Sequence, residues 1–88
     1  MGRPSRSVRE AAWGQALGRE LQRHRSGRTA EAVARAAGVS VDTLRRVERG
    51  AVASPGFFLV GRIAEALGTS LDDLLRAARN AEQGQEPR

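Results

Sequence analysis

Between residues 7 and 79 apolar positions recur every three or four residues, with no sustained alternation, which is the spacing of helices that bury one face. Trp13, Leu17 and Leu21, with His24 closing the stripe, mark a first helix. It should start at Ser7, where Ser7 and Glu10 make a capping-box pattern, and end near Arg25, before Ser26 and Gly27. Gly14 and Gly18 fall inside it and should weaken it by about 0.5–1 kcal/mol each relative to Ala. Thr29 caps a second helix, with Glu31 in its first turn, which runs through Val33 and Ala34 and stops at Gly38. Ser40 caps a third over residues 41–49, and Gly50 closes it. Ser54 and Pro55 open a fourth, since the missing N–H of proline is no loss in a first turn. Its stripe is Phe57, Val60, Ile63, Ala64 and Leu67, and Gly68 ends it. Ser70 with Asp73 opens a fifth helix, which carries Leu71, Leu74, Leu75 and Ala78. The fold class is therefore all-α, with five helices in a single domain over residues 8–79. Segments 1–7 and 80–88 are polar, contain Pro or Gly and lack periodicity, so flexible ends are expected there.

The second and third helices satisfy the steric demands of a helix-turn-helix. Ala34 is small enough for close packing, Gly38 permits the sharp turn, and Val39 plugs its underside. Leu44 and Val47 anchor the third helix to the second. With Leu44 placed at 0° and ~100° per residue, Val41 falls at about 60° and Val47 at about 300°. Asp42, Arg45, Arg46 and Arg49 fall between about 100° and 200°, on the outer face. Arg45 with Arg49, and Arg46 with Arg49, are like-charge neighbours along the helix, an arrangement that destabilises an isolated helix by a few tenths of a kcal/mol. Asp42 can relieve part of this through Arg45 or Arg46. The face keeps a net positive charge, which phosphates and guanine edges would explain better than water.

Composition adds charge to this picture. All fifteen basic residues are Arg, and with ten acids the formal net charge is +5. That balance favours a polyanion, nucleic acid before an anionic membrane surface. A membrane partner is disfavoured because the basic residues do not gather on one long amphipathic helix. Cysteine is absent and His24 is the one histidine, so neither a disulfide framework nor a zinc site is expected. No nucleophile–base pair or metal-ligand cluster suggests an enzyme. The chain is expected to be soluble and cytoplasmic, on the nucleoid, with no cofactor and no small-molecule ligand, since so small a core leaves no room for an effector pocket.

Taken together, V-A-x-x-A-G-V-S at residues 33–40, T-L-x-R-V-E-x-G at 43–50 and A-x-A-L-G-x-S-L-D-x-L at 64–74 resemble the Cro/C1-type (lambda-repressor-like, XRE) helix-turn-helix domain. The resemblance covers residues 17–75. It implies a five-helix lambda-repressor-like fold and a transcriptional regulator, most simply a repressor, that binds double-stranded DNA as a homodimer. Residues 41–49 would be the recognition helix, with Val41, Asp42, Arg45 and Arg46 at base edges. Arg46 would take a guanine bidentately, Val41 a thymine methyl, and Asp42 either cytosine N4 or the Arg46 guanidinium. Thr43, Arg49 and the amides of Gly56 and Phe57 would hold phosphates. Where the family often has Gln at the first position of the second helix, this chain has Ala30, so that phosphate bond is missing or passes to Arg28. The position before Thr29, usually apolar, is Arg28, and the often basic position after Gly50 is Ala51. Glu48, on the inner flank of the third helix, would pair with Arg25 or Arg23 of the first. Phe58 and Leu75, beside the main stripes, would lie near a dimer axis. Arg3, Arg6 and Arg9 would add a minor-groove or phosphate contact. The alternative is a protein-interaction module of the same fold, an antitoxin or adaptor, whose Arg45, Arg46 and Arg49 meet an acidic partner.

Overall fold

The computed structural model describes residues 4–82 and contains five helices and no strand among them. They are α1 (Pro4–Arg25), α2 (Ala30–Ala37), α3 (Val41–Glu48), α4 (Phe57–Leu67) and α5 (Leu71–Glu82). The core is aliphatic: Leu21, Val33, Leu44, Val47 and Ile63 are almost wholly buried, with Ala30, Ala34, Ala37, Ala64, Leu67 and Leu74 around them. α1 lies along α5 and also touches α3, while α2 packs on α4. The short pair α2–α3 is thereby held from behind by α4 and α1, with α5 bracing α1.

Local signals set most boundaries. Thr29 Oγ1 accepts from the Ala32 amide at 3.0 Å, Ser40 Oγ from the Thr43 amide at 3.0 Å, and Ser70 Oγ from the Asp73 amide at 3.1 Å. At the other end of α2 the Gly38 amide reaches the Arg35 carbonyl at 3.2 Å and the Val39 amide reaches the Ala34 carbonyl at 3.0 Å. That pair of bonds demands a left-handed residue, and Gly38 supplies φ 74° without a Cβ clash. Val39 then lies half-buried against the core, under the turn.

Two helix starts differ from expectation. α1 begins at Pro4, whose missing N–H suits a first helical position, so Ser7 lies inside the helix and does not cap it. α4 begins at Phe57, with Gly56 in extended geometry (φ −66°, ψ 154°) as its cap. The chain leaving α3 crosses α1 at Gly14, where an added Cβ would stand 2.8 Å from the Val52 carbonyl oxygen and 3.1 Å from Ala53 Cα. Ser54 and Pro55, the expected opening of the helix, lie in the segment between this crossing and α4. Gly18, one turn further along α1, faces the end of α3 as closely: a Cβ there would collide with the Glu48 carbonyl and stand 2.7 Å from that of Val47. Both glycines lower intrinsic helicity, yet each is a place where other backbone closely approaches α1. Helix occupies part of each expected flexible end, at 4–7 and 80–82; residues 1–3 and 83–88 lie outside the described residues.

Candidate nucleic-acid interface

α3 is amphipathic in the simplest sense: Leu44 and Val47 vanish into the core, Val41 rests half-buried against it, and Asp42, Arg45, Arg46 and Arg49 are exposed. The four charged groups share one outward face, as the helical spacing implies, but their partners are not those expected. Arg45 Nη2 donates to Glu31 Oε2 at 2.9 Å, reaching from α3 to the first turn of α2. Asp42 takes neither Arg45 nor Arg46 into an ion pair. Arg46 and Arg49 have no ion-pair partner among the described residues. Two guanidinium groups are therefore presented side by side with no protein carboxylate on them.

The inner flank of α3 is fixed by a two-pronged ion pair. Glu48 is only 5% exposed, yet its Oε2 accepts from Arg25 Nε at 2.7 Å and its Oε1 from Arg25 Nη2 at 3.0 Å. Arg25 Nη1 also donates to the Arg28 carbonyl at 3.0 Å. The hydrogen bond to Glu48 raises the Arg25 pKa above its ordinary value against the opposing effect of burial, and the charges of Glu48 and Glu31 add to it. Of the two expected partners, Arg25 holds Glu48, while Arg23 turns to Glu20 on its own helix. Gln22 Nε2 donates to the Glu48 backbone carbonyl at 3.3 Å, so α1 holds both the side chain and the backbone at the end of α3. Half-buried His24 lies at 3.1 Å from Glu20, within the same surface cluster.

The expected phosphate set divides. Thr43 is half-buried, and its Oγ1 accepts from Ser40 Oγ at 2.8 Å. Arg49 is exposed immediately after α3. Gly56 is exposed at the cap of α4 and, as a glycine, supplies no side-chain cap to the first-turn amides that Phe57 begins. Arg28 is engaged elsewhere, since its Nη1 donates to the Ala66 carbonyl at 3.1 Å and its Nη2 to that of Leu67 at 3.3 Å. A cation on the last carbonyls of α4 satisfies acceptors the helix cannot and opposes its negative end. That guanidinium is turned to α4 and does not substitute for the missing glutamine.

A second surface lies where α1, α4 and α5 meet. Phe57 and Phe58 are 67% and 77% exposed and stack edge to face, with centroids 5.1 Å apart. Leu75 is 55% exposed. Beside them runs an open groove of about 510 Å³, walled by Trp13, Pro55, Phe57, Leu71, Leu75 and Ala78, with Arg79 at its edge. So small a core does leave an apolar recess after all, on the surface. Arg9 stands over the Trp13 ring at 6.0 Å. Arg3 and the side chain of Arg6 lie outside the described residues. Two features do not follow from the sequence pattern: Glu31 as a partner of the outward face, and the groove. Glu31 and Arg45 both point outward from neighbouring helices, which is the one signal that could have paired them. The groove depends on how α1, α4 and α5 come together, which helical spacing does not contain.

Five helices with α2 and α3 joined by a Gly38 turn define a helix-turn-helix protein of lambda-repressor-like architecture. A family model described as a helix-turn-helix domain matches residues 16–78, and the chain belongs to that family, consistent with a Cro/C1-type domain. No curated protein matches the chain. Membership points to a DNA-binding regulator, from a family that is generally non-enzymatic. No helix among the described residues is long and apolar enough to cross a membrane.

Proposed function

We propose that this protein is a transcriptional regulator, acting as a repressor, that reads the major groove of duplex DNA with α3 and binds as a homodimer. The observation that carries this reading is the outward face of α3, where Arg46 and Arg49 stand exposed without a carboxylate partner among the described residues. Two adjacent like charges are unfavourable in isolation and favourable against a polyanion. Arg46 takes a guanine through O6 and N7. Asp42, exposed and unattached to Arg46, accepts from cytosine N4, and Val41 meets a thymine methyl. Arg49, Thr43 and the amides of Gly56 and Phe57 hold phosphates on either side. The Glu48–Arg25 pair contributes by fixing the roll of α3, so that the outer face arrives in one orientation.

Dimerisation supplies the second half-site. Phe57, Phe58 and Leu75 expose large apolar side chains at one end of the domain, beside the groove, and solvent alone is a poor occupant for such a patch. A two-fold axis there would place the recognition helices on one side of a duplex, with half-sites about 34–36 Å apart.

Selection of bound fragments from random duplex DNA, followed by a salt titration on the selected site, tests the reading. The expected result is a pseudo-palindromic site and log K falling with log[salt] at a slope of about −0.9 per phosphate contact. No enrichment, or binding indifferent to salt, would overturn it in favour of an acidic protein as the partner of the arginine face.

A further inference from the structure

Among the arginines of the outward face, Arg45 alone is held by a carboxylate, and the holder comes from another helix. Glu31, 58% exposed at its side chain in the first turn of α2, binds Arg45 at 2.9 Å, although Asp42 lies one turn away from Arg45 on α3 itself. Both partners are exposed, and Arg45 belongs to the outward face with Arg46 and Arg49, so the pair borders the surface where a duplex would arrive and is not part of the core.

We propose that Glu31 is a specificity-determining residue, which withholds Arg45 from DNA unless the site offers that guanidinium a better acceptor than the carboxylate. This rests on the DNA-binding reading above. An exposed ion pair is weak, so a well-placed, two-pronged acceptor on DNA displaces it readily. A single phosphate oxygen met in passing replaces one charge-assisted bond with another and gains little. The Glu31 carboxylate also repels every phosphate that approaches it. The repulsion weakens every duplex alike, whereas the withholding of Arg45 weakens binding to arbitrary sequence more than binding to the correct site. Glu31 therefore lowers total affinity and raises the ratio of specific to non-specific affinity, the quantity that decides occupancy among many competing sites.

The test measures binding to the selected duplex and to a scrambled duplex of equal length, across salt, for wild type, Glu31→Gln, Arg45→Ala and the double variant. Glu31→Gln should tighten the scrambled duplex roughly two- to fivefold, the size of one exposed ion pair, and the selected duplex by distinctly less. Its salt slope on the scrambled duplex should steepen by about 0.9, one added phosphate contact. In the Arg45→Ala background the same change should leave the specificity ratio where it was. An unchanged ratio in Glu31→Gln overturns the proposal, and so does an equal fall in the ratio without Arg45, which would reduce Glu31 to a bystander charge. Thermal melts confirm that each variant is folded, as these surface positions should allow. The two readings fail separately: wild type without salt-sensitive duplex binding ends both, whereas wild type that selects its site while Glu31→Gln keeps the ratio ends only this one.

Discussion

At the scale of single residues the outer face of α3, on the proposed reading, separates into readers and holders. Arg46 and Arg49 are alike in exposure and in lacking a carboxylate, so their difference must come from position along the helix. Arg46 to Ala should cost about 1–3 kcal/mol at one base position and leave discrimination elsewhere intact, measured by binding to a panel of single-substituted sites. Arg49 to Ala should weaken every duplex alike and reduce the salt slope by about 0.9. Equal, sequence-blind losses from both would remove Arg46 from the readers. The ion pair behind that face is asymmetric: the Glu48 side chain is 4% exposed and that of Arg25 is 25% exposed. Arg25→Met strands a carboxylate that cannot reach water, whereas Glu48→Met leaves a guanidinium that can turn outward. Urea unfolding should show about 2–4 kcal/mol lost in the first and roughly half that in the second. Because the Arg25 pKa is raised on folding, its contribution is fully present below the ordinary arginine range. It is lost only as pH rises through the raised value, so this group should add no slope to stability at neutral pH. The need of Glu48 for a partner was legible from its place on the inner flank, but the choice between Arg23 and Arg25 was not. It depends on the register of α1 against α3, which the intervening turn sets and no local pattern records.

At the scale of elements, what decides is whether a glycine stands before open space or before another backbone. Gly61, inside α4, has nothing nearer to an added Cβ than Leu71 Cδ1 at 3.9 Å. Gly61→Ala should therefore stabilise by about 0.5–1 kcal/mol, the gain in helical preference, and raise the melting temperature by several degrees. Gly18→Ala offers the same intrinsic gain but forces α1 away from the Glu48 carbonyl. A thermal melt should show it lowered, with Gly61→Ala as the internal control; a rise in both would mean that α1 and α3 separate at little cost. The contrast also shows what the sequence could and could not disclose. Thr29, Ser40 and Ser70 cap helices as the pattern implies, and Gly38 and Gly68 end them, because caps and left-handed turns are settled within a few residues. Ser7 makes an equally good local pattern and lies inside α1, because Pro4 offers an earlier start. Gly14 and Gly18 look like weaknesses because their compensation lies some thirty or more residues away, in the end of α3 and the segment after it. Arg28, whose acceptors lie 38 and 39 positions distant on α4, is illegible for the same reason.

At the scale of the whole molecule, the charged face and the apolar end make separable demands. On the proposed reading, the arginine face would supply affinity for one half-site, and the net charge of +5 would steer a duplex toward the protein. On the same reading, the apolar end would join two half-sites. A stable interface covers about 800 Å² on each partner, and a buried aromatic side chain contributes about 150–250 Å². Phe57 and Phe58, with Leu75 and the wall of the groove, supply the greater part of that on one contiguous surface. Because Phe58 is 77% exposed and adds nothing to the core of a single chain, Phe58→Asp should leave the thermal stability of the monomer almost unchanged. It should nonetheless convert a dimer into a monomer in sedimentation at micromolar concentration, since a carboxylate buried at a two-fold axis faces its own copy. Binding to a palindromic site should then fall steeply, toward that of an isolated half-site, while binding to the half-site itself stays as it was. The same variant sedimenting as a dimer would place the axis elsewhere, and wild type already monomeric at that concentration would leave the second half-site to be joined only on DNA. Either result would leave the outward face of α3 untouched, because Phe58 on α4 and Arg46 on α3 share no hydrogen bond or ion pair.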